Sequence, residues 1–219
     1  VNANPTPTIS GTLSFCSGGS TSLDAGSYAG YNWSTGATTQ TISVNTAGTF
    51  TVTVTDASGC TGSASVTTTV NALPTPSISG TLSFCSGSST TLDAGVYSGY
   101  SWSTGATTQS ISVNTAGTFT VTVTDANGCT GSASVTTTVN ALPTPSISGT
   151  LAFCAGSSTT LDAGSYSGYS WSTGATTQSI SVNTAGTFTV TVTDANGCTG
   201  SASVTTTVNA LPTPSISGT

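Results

Sequence analysis

The sequence lacks lysine, arginine, histidine, glutamate and methionine, and its only charged side chains are six aspartates. The formal net charge of the 219 residues is −6. Without a basic residue the chain offers no positive surface for a phosphate backbone, which excludes a nucleic-acid partner. The same absence removes the polybasic segment that attracts anionic lipid headgroups.

The missing residue types also restrict chemistry. A Ser-His-Asp triad, a Cys-His pair and a Ser-Lys dyad each need histidine or lysine as the base, and neither residue is present. No segment shows the helical period of 3.6 residues, and no run of about 20 apolar residues predicts a transmembrane helix. The sequence therefore predicts a protein that is not an enzyme and that has no transmembrane segment in this window.

A strand pattern is what the sequence does contain. Phe50, Val52 and Val54 alternate with threonines, and the same pattern returns at residues 118–129 and 187–198. This period of two is typical of a β-strand with one buried and one exposed face. The turn residues that follow include Asn127-Gly128, which we interpret as a hairpin turn because Asn-Gly tolerates positive φ.

The chain repeats itself at a constant interval, as the evenly spaced Trp33, Trp102 and Trp171 illustrate. We expect residues 5–71, 72–140 and 141–209 to form three domains. Residues 1–4 then match the end of a preceding repeat, and residues 210–219 the start of a following one. This interpretation makes the chain a window from a longer array.

Each repeat contains about seven short alternating segments separated by turn signals, which predicts an all-β fold of tandem β-sandwiches. We expect large aromatic side chains to fill the core of each sandwich. The candidates are Trp33, Trp102, Trp171, Phe50, Phe119 and Phe188.

All eight prolines lie in four Pro-Thr-Pro copies between the repeats. Proline favours extended, polyproline-like backbone, so we expect these segments to be short and semi-stiff linkers. The linker prolines are Pro5, Pro7, Pro74, Pro76, Pro143, Pro145, Pro212 and Pro214.

Two cysteines per repeat indicate disulfides and an oxidising, extracellular setting. In the scheme that we favour, one disulfide closes each small domain, through Cys16–Cys60, Cys85–Cys129 and Cys154–Cys198. The alternative has bonds that cross the linkers, through Cys60–Cys85 and Cys129–Cys154.

Calcium is the one metal that the composition leaves open, since carboxylate and carbonyl oxygens are its usual ligands. The alternative role of the aspartates is to bind the backbone of their own turns, and we expect no cofactor. The calcium candidates are Asp24, Asp56, Asp93, Asp125, Asp162 and Asp194.

Three motifs occur in the same order in every repeat: Phe-Cys followed by Leu-Asp-Ala-Gly, then Trp-Ser-Thr-Gly-Ala-Thr-Thr-Gln, then Ala-Gly-Thr-Phe-Thr-Val-Thr-Val-Thr-Asp-Ala. In this order the sequence resembles the Ig-like, or PKD-like, repeats of Bacteroidota surface proteins. Such repeats occur in tandem in large adhesins, including gliding-motility adhesins and proteins exported by the type IX system. The resemblance covers all three repeats and implies Ig-like sandwiches at the cell surface or in an extracellular fibre.

We therefore expect a structural segment of a long extracellular stalk, adhesin or filament that provides extension, mechanical strength and protease resistance. Its partners are neighbouring repeats of the same chain, or further copies in a homopolymer or fibre. The alternative is a multivalent module that binds carbohydrate or ice through exposed threonine and aromatic faces.

Overall fold

A computed structural model describes residues 2–216 of the chain, and all the regular secondary structure in this range is β-strand. The strands of the first repeat are short except for the last two. They are β1 (Ser14–Cys16), β2 (Thr21–Asp24), β3 (Gly30–Trp33), β4 (Thr41–Val44), β5 (Gly48–Thr55) and β6 (Thr61–Asn71).

The other two repeats have the same six strands. In the second they are β7 (Ser83–Cys85), β8 (Thr90–Asp93), β9 (Gly99–Trp102), β10 (Ser110–Val113), β11 (Gly117–Thr124) and β12 (Thr130–Asn140). In the third they are β13 (Ala152–Cys154), β14 (Thr159–Asp162), β15 (Gly168–Trp171), β16 (Ser179–Val182), β17 (Gly186–Thr193) and β18 (Thr199–Asn209).

Each repeat has a four-stranded and a two-stranded sheet. In the first repeat the order is β1-β6-β5-β3 in one sheet and β2-β4 in the other, and the order is equivalent in the second and third. All pairs are antiparallel except that β1 runs parallel to the end of β6. The chain is thus a series of Ig-like β-sandwiches.

The number of strands per repeat is six and not about seven. In the second repeat, the segment from Ile78 to Phe84 forms only part of β7 and an isolated bridge between Ser79 and Asp93. Gly80 separates these two pieces with a φ of 141°, which an extended strand does not adopt.

The core of the first sandwich comes from both sheets, since Leu23 and Ile42 face Trp33, Phe50 and Val52. Trp33 is 2% exposed, and its indole Nε1 donates a hydrogen bond of 2.8 Å to the Thr39 carbonyl. The other residues predicted for the cores are also buried, namely Trp102, Trp171, Phe119 and Phe188.

The chain divides into two compact units. The first comprises Val1–Ser79, Leu92–Ile111 and Thr118–Val135, and the second comprises Gly80–Thr91, Ser112–Gly117 and Thr136–Thr219. The second repeat thus contributes residues to both units, so the domain boundaries inferred from the sequence remain a prediction.

The turn between β5 and β6 joins two antiparallel strands, so the expected hairpin is present. The Asp56 N–H donates to the Cys60 carbonyl at 3.0 Å, which leaves a three-residue loop, and only Gly59 has positive φ, at 81°. In the second repeat Gly128 has the same conformation, whereas Asn127 does not. Asn-Gly is therefore not a two-residue hairpin turn here, because the longer loop leaves the left-handed position to glycine alone.

The Pro-Thr-Pro segments are not free linkers. In the first repeat a Cβ atom on Gly62, near the start of β6, would overlap the carbonyl group of Pro5. In the same way, a Cβ atom on Gly131 would overlap the carbonyl group of Pro74, and one on Gly200 would overlap that of Pro143. Each of these three segments therefore lies against the last strand of the repeat that it begins. Pro212 and Pro214 are exposed, and Ser217–Thr219 lie outside the described residues.

Replacing all three of these glycines by alanine (Gly62→Ala, Gly131→Ala, Gly200→Ala) tests this packing. The added methyl groups displace the proline segments, and we expect the free energy of unfolding to fall by about 1–3 kcal/mol per repeat. Urea unfolding followed by tryptophan fluorescence measures the change. The matched control is Gly30→Ala with Gly99→Ala and Gly168→Ala, where the new Cβ meets its strand neighbour at ordinary contact distance. Equal losses in both variants would contradict the proposed packing.

Candidate functional site: the cross-repeat disulfides

Both disulfides join one repeat to the next. They are Cys16–Cys129 and Cys85–Cys198, with Cα–Cα distances of 5.6 and 5.5 Å and a sequence separation of 113 residues each. The pairs expected within repeats, Cys16–Cys60, Cys85–Cys129 and Cys154–Cys198, are therefore wrong. The alternative pairs, Cys60–Cys85 and Cys129–Cys154, are wrong too. Two disulfides over three repeats replace the expected one per domain.

The length of β6 explains why a repeat does not close on itself. Cys16 ends β1 and lies beside Asn71, the last residue of β6, whereas Cys60 immediately precedes the first. Eleven positions separate Cys60 from Asn71, which corresponds to about 36 Å of extended strand. A disulfide requires Cα atoms less than about 7 Å apart, so the two cysteines of one repeat lie at opposite ends and do not meet.

The linker joins two ends that each carry one cysteine. Asn71 is the last strand residue before the linker, and its carbonyl accepts a hydrogen bond of 2.8 Å from the Ser17 N–H, directly after Cys16. Cys129 lies two positions before Gly131, against which the linker residue Pro74 packs. The Cys16–Cys129 bond therefore spans the junction between the first and second repeats alongside the linker.

Hydrogen bonds hold both halves of this bond in place. The Asn71 Nδ2 donates to the Ser14 Oγ at 2.8 Å, which fixes the end of β1 on β6. The Asp125 Oδ1 accepts from the N–H groups of Asn127 and Cys129, both at 2.8 Å. Turn chemistry of this kind orders the backbone around each cysteine.

Two cysteines of the described chain carry free thiols, Cys60 and Cys154. Cys129 and Cys198 are buried in their disulfides, whereas the equivalent Cys60 is half-buried. Cys154 is exposed, whereas the equivalent Cys16 and Cys85 are half-buried.

The aspartates bind their own turns. Asp56 Oδ1 accepts from the N–H groups of Ser58 and Cys60, and Asp24 Oδ1 accepts from the Gly26 N–H at 2.7 Å. The equivalent Asp93, Asp125, Asp162 and Asp194 make the same contacts. In residues 2–216 no three His, Cys, Asp or Glu side chains gather as a metal-binding group. Calcium binding remains a prediction without a cluster to support it.

The outer face of β5 and β6 carries a ladder of paired hydroxyls. Thr51 contacts Ser65 at 2.7 Å and Thr53 contacts Ser63 at 2.9 Å, while Thr49 contacts Thr67 at 3.1 Å. The third repeat has the same three pairs. These hydroxyls bind one another across the strands, and no pocket opens among the described residues.

The tyrosines serve the fold rather than an open binding face. The Tyr31 hydroxyl accepts from the Tyr28 N–H at 2.7 Å and donates to the Gly26 carbonyl at 2.8 Å. The two rings meet edge to face with centroids 6.5 Å apart. A tyrosine on β3 thus anchors the loop between β2 and β3, and its equivalents do so in the other two repeats.

Comparisons of this chain with solved structures show a likeness of fold alone. No family model and no curated protein matches it. One similar solved structure is described as "Structural insight into host cell surface retention of a 1.5-MDa bacterial ice-binding adhesin", with 16% identity, 95% of this chain and 100% of that chain covered, and a TM-score of 0.43. Another is "Ca2+-stabilized adhesin helps an Antarctic bacterium reach out and bind ice", with 19% identity, coverage of 96% and 76%, and a TM-score of 0.41.

The I-band fragment I67–I69 of titin is a third similar structure, with 13% identity, coverage of 96% and 100%, and a TM-score of 0.43. No helix within residues 2–216 is long and apolar enough to cross a membrane.

Peptide mapping without reduction tests the cross-repeat pairing. The sequence Asp-Ala-Ser-Gly-Cys surrounds only Cys60, whereas Cys129 and Cys198 follow Asp-Ala-Asn-Gly. After thiol alkylation and pepsin digestion, we expect the Cys16 peptide to be linked to an Asp-Ala-Asn-Gly-Cys peptide and Cys60 to be alkylated. A Cys16 peptide linked to Asp-Ala-Ser-Gly-Cys would restore the pairing within the repeat.

The Asp24 carboxylate predicts a pH effect. The hydrogen bonds from the Gly26 N–H and then from the Gln40 amide lower its pKa below the ordinary value of 3.8. The folded pKa is thus below the unfolded one, so this stabilisation is present above about pH 3.8 and is lost as the pH falls through the folded pKa. We expect the Gly26 amide resonance to titrate with a midpoint below 3.8 and the Asp24→Asn variant to lose this titration. A midpoint at or above 3.8 would refute the assignment.

Proposed function

We propose that the chain is a load-bearing repeat segment of a long extracellular stalk, adhesin or filament. The observation that carries the proposal is the pair of disulfides that bridge successive repeats, Cys16–Cys129 and Cys85–Cys198. A disulfide within a repeat limits the unfolding of that repeat alone. A bond between repeats instead holds two neighbours together when either of them unfolds.

The two disulfide loops overlap, and this provides two covalent routes along the chain. From Cys16 to Cys198 one route follows the backbone to Cys85 and crosses to Cys198, and the other crosses to Cys129 and follows the backbone. The two routes contain equal lengths of backbone, because the cysteines recur at the repeat interval. A single cut in the backbone anywhere between Cys16 and Cys198 therefore leaves one covalently connected molecule.

The composition suits an exposed position outside the cell. Disulfides persist in oxidising compartments, which supports export. With no lysine or arginine, trypsin-like proteases have no cleavage site, and with no methionine the chain is spared sulfoxide formation. The resemblance to PKD-like repeats of Bacteroidota surface proteins supports the same role and adds the proposed origin.

A second candidate function rests on the hydroxyl ladder. Thr49, Thr51 and Thr53 stand in a row on the outer face of β5, and this regular array of exposed and half-buried threonines favours binding of carbohydrate or ice. The ladder is also what two exposed, threonine-rich strands form when their hydroxyls satisfy one another. Binding of glycans or ice by the three-repeat chain would distinguish this candidate from a purely structural role. The load-bearing proposal itself needs no cofactor and no catalytic residue.

Single-molecule pulling tests the load-bearing role. Handles at the two ends of the oxidised chain stretch it to full unfolding. We expect the extension between Cys16 and Cys198 to be limited to the backbone of one route. One route contains residues 16–85 and the other contains residues 129–198, and the two are equally long. Reduction releases the whole backbone from Cys16 to Cys198. The gain on reduction equals one disulfide separation of 113 residues, or about 400 Å of contour length.

The control for the pulling experiment is the Cys16→Ser/Cys85→Ser variant, which loses both disulfides and should extend fully without reductant. Three disulfides within repeats would instead leave only residues 60–85 and 129–154 extensible between Cys16 and Cys198. An oxidised chain that extends through just those two segments, or through the whole backbone, would contradict the overlapping loops and the function proposed from them.

A further inference from the structure

The beginning of each repeat and its last strand lie side by side and run in the same direction. In the first repeat a Cβ atom on Gly62, near the start of β6, would overlap the Pro5 carbonyl group. At the other end β1 pairs in parallel with β6, and the register places Cys16 beside Asn71. Residues 5–16, which we call the first opening segment, therefore cover nearly the whole length of β6.

The first opening segment is close to full extension. The part of β6 beside it, from Gly62 to Asn71, is about 30 Å long at the rise of an extended strand. A fully extended chain from Pro5 to Cys16 would reach about 40 Å. Tension on this segment therefore lengthens it by only about 10 Å.

The second and third repeats contain the same pair of extended segments. The second opening segment comprises residues 74–85 and lies beside β12, and the third comprises residues 143–154 and lies beside β18. The contacts at their two ends are those of Pro74 with Gly131, Cys85 with Asn140, Pro143 with Gly200 and Cys154 with Asn209.

The disulfides and the linkers connect these segments crosswise. The Cys16–Cys129 bond ties the end of the first opening segment to the residue before β12, which is the last strand of the second repeat. The linker leads from Asn71, at the end of β6, to Pro74, at the start of the second opening segment. An opening segment is thus joined to a last strand in the next repeat, and a last strand to an opening segment.

Two covalent paths of extended segments result from these connections. The first extended path contains residues 5–16, crosses the disulfide to Cys129, and continues through β12 and the linker to the end of the third opening segment at Cys154. It omits β2 to β5 of the first repeat and the equivalent strands of the other two.

The second extended path takes the complementary segments. It contains residues 60–85, which are β6, the linker and the second opening segment, and then crosses the Cys85–Cys198 bond into β18. It omits the same inner strands as the first path. In the first repeat β2 to β5 lie between Cys16 on one path and Cys60 on the other, so they are a connection between the paths and a part of neither.

We propose that tension is carried by these two extended paths, so that β2 to β5 and their equivalents are shielded from load. Because both paths are already extended, pulling on either one straightens it without opening a sandwich. In the absence of the disulfides, tension from one repeat to the next has to pass through β2 to β5 and unfold them. The proposal rests on the load-bearing function and adds the route that the load takes.

Pulling on the two ends of the first extended path tests the proposal. The chain contains no lysine, so an amine-reactive handle attaches only at the amino terminus. In the Cys60→Ser variant a maleimide handle attaches at Cys154, which then carries the only free thiol of the described chain. With the disulfides intact, we expect no unfolding step and a lengthening of less than about 40 Å once the molecule has been pulled straight at low force.

Reduction of the same molecule gives the contrast. Without the Cys16–Cys129 bond, tension passes through the backbone between these two residues, which are 113 positions apart. We expect unfolding steps that together add about 400 Å of contour length. The handle at Cys154 is a thioether and survives the reductant.

The Cys154→Ser variant provides the matched control, with the maleimide handle at Cys60 on the second extended path. Tension between the amino terminus and Cys60 has to pass through β2 to β5, because these strands connect the two paths. Even with both disulfides intact, we expect this control to unfold and to gain about 150 Å, the length of the backbone from Cys16 to Cys60.

Two results would overturn the proposal. One is a first extended path that lengthens by more than about 40 Å, or in steps, at the forces that unfold the control, although peptide mapping finds both disulfides. The other is a control that lengthens no more than the first path, because β2 to β5 would then resist load as well as the paths do. The pulling result between the two chain ends depends only on which cysteines are bonded, so either failure leaves the load-bearing function standing.

Discussion

The pairing of the cysteines depends on the length of one extended strand in each repeat. β6 extends over eleven residues from the turn that contains Cys60 to Asn71, beside which Cys16 lies. An extended strand does not fold back, so the two cysteines of a repeat are held at opposite ends of the sandwich. Each must find a partner in another repeat. The covalent connection between repeats follows from this geometry.

The sandwiches achieve order almost without charge. Hydroxyl pairs tie the outer faces of β5 and β6, and aspartate side chains bind the turns next to each cysteine. Thr68 is buried, and its hydroxyl donates to the Thr46 carbonyl at 2.8 Å. Among the described residues no buried side-chain nitrogen or oxygen lacks a partner. The hydroxyl hydrogen bonds are neutral, so salt screens them little.

Much of the fold was predictable because its signals are local. Alternation of Phe50, Val52 and Val54 with threonines identified β5 and its buried face, and the even spacing of identical motifs identified the repeats. The pairing of the cysteines at the candidate site was harder to predict from the sequence. The Pro5 segment packs against Gly62. The sequence does not indicate this contact, because glycine is also common in turns. The length of the Thr61–Asn71 strand was the available clue to the pairing of the cysteines.

By itself, the sequence determined the chemistry that is present and its periodicity: an all-β chain, aromatic cores, two thiols per repeat and no basic residue. These properties depend on residue type and on neighbours within a few positions. Only the tertiary structure decided which cysteines meet, because pairing depends on where strand ends lie in space. It placed Cys16 against Cys129 of the following repeat, and so made the disulfide a bond between repeats.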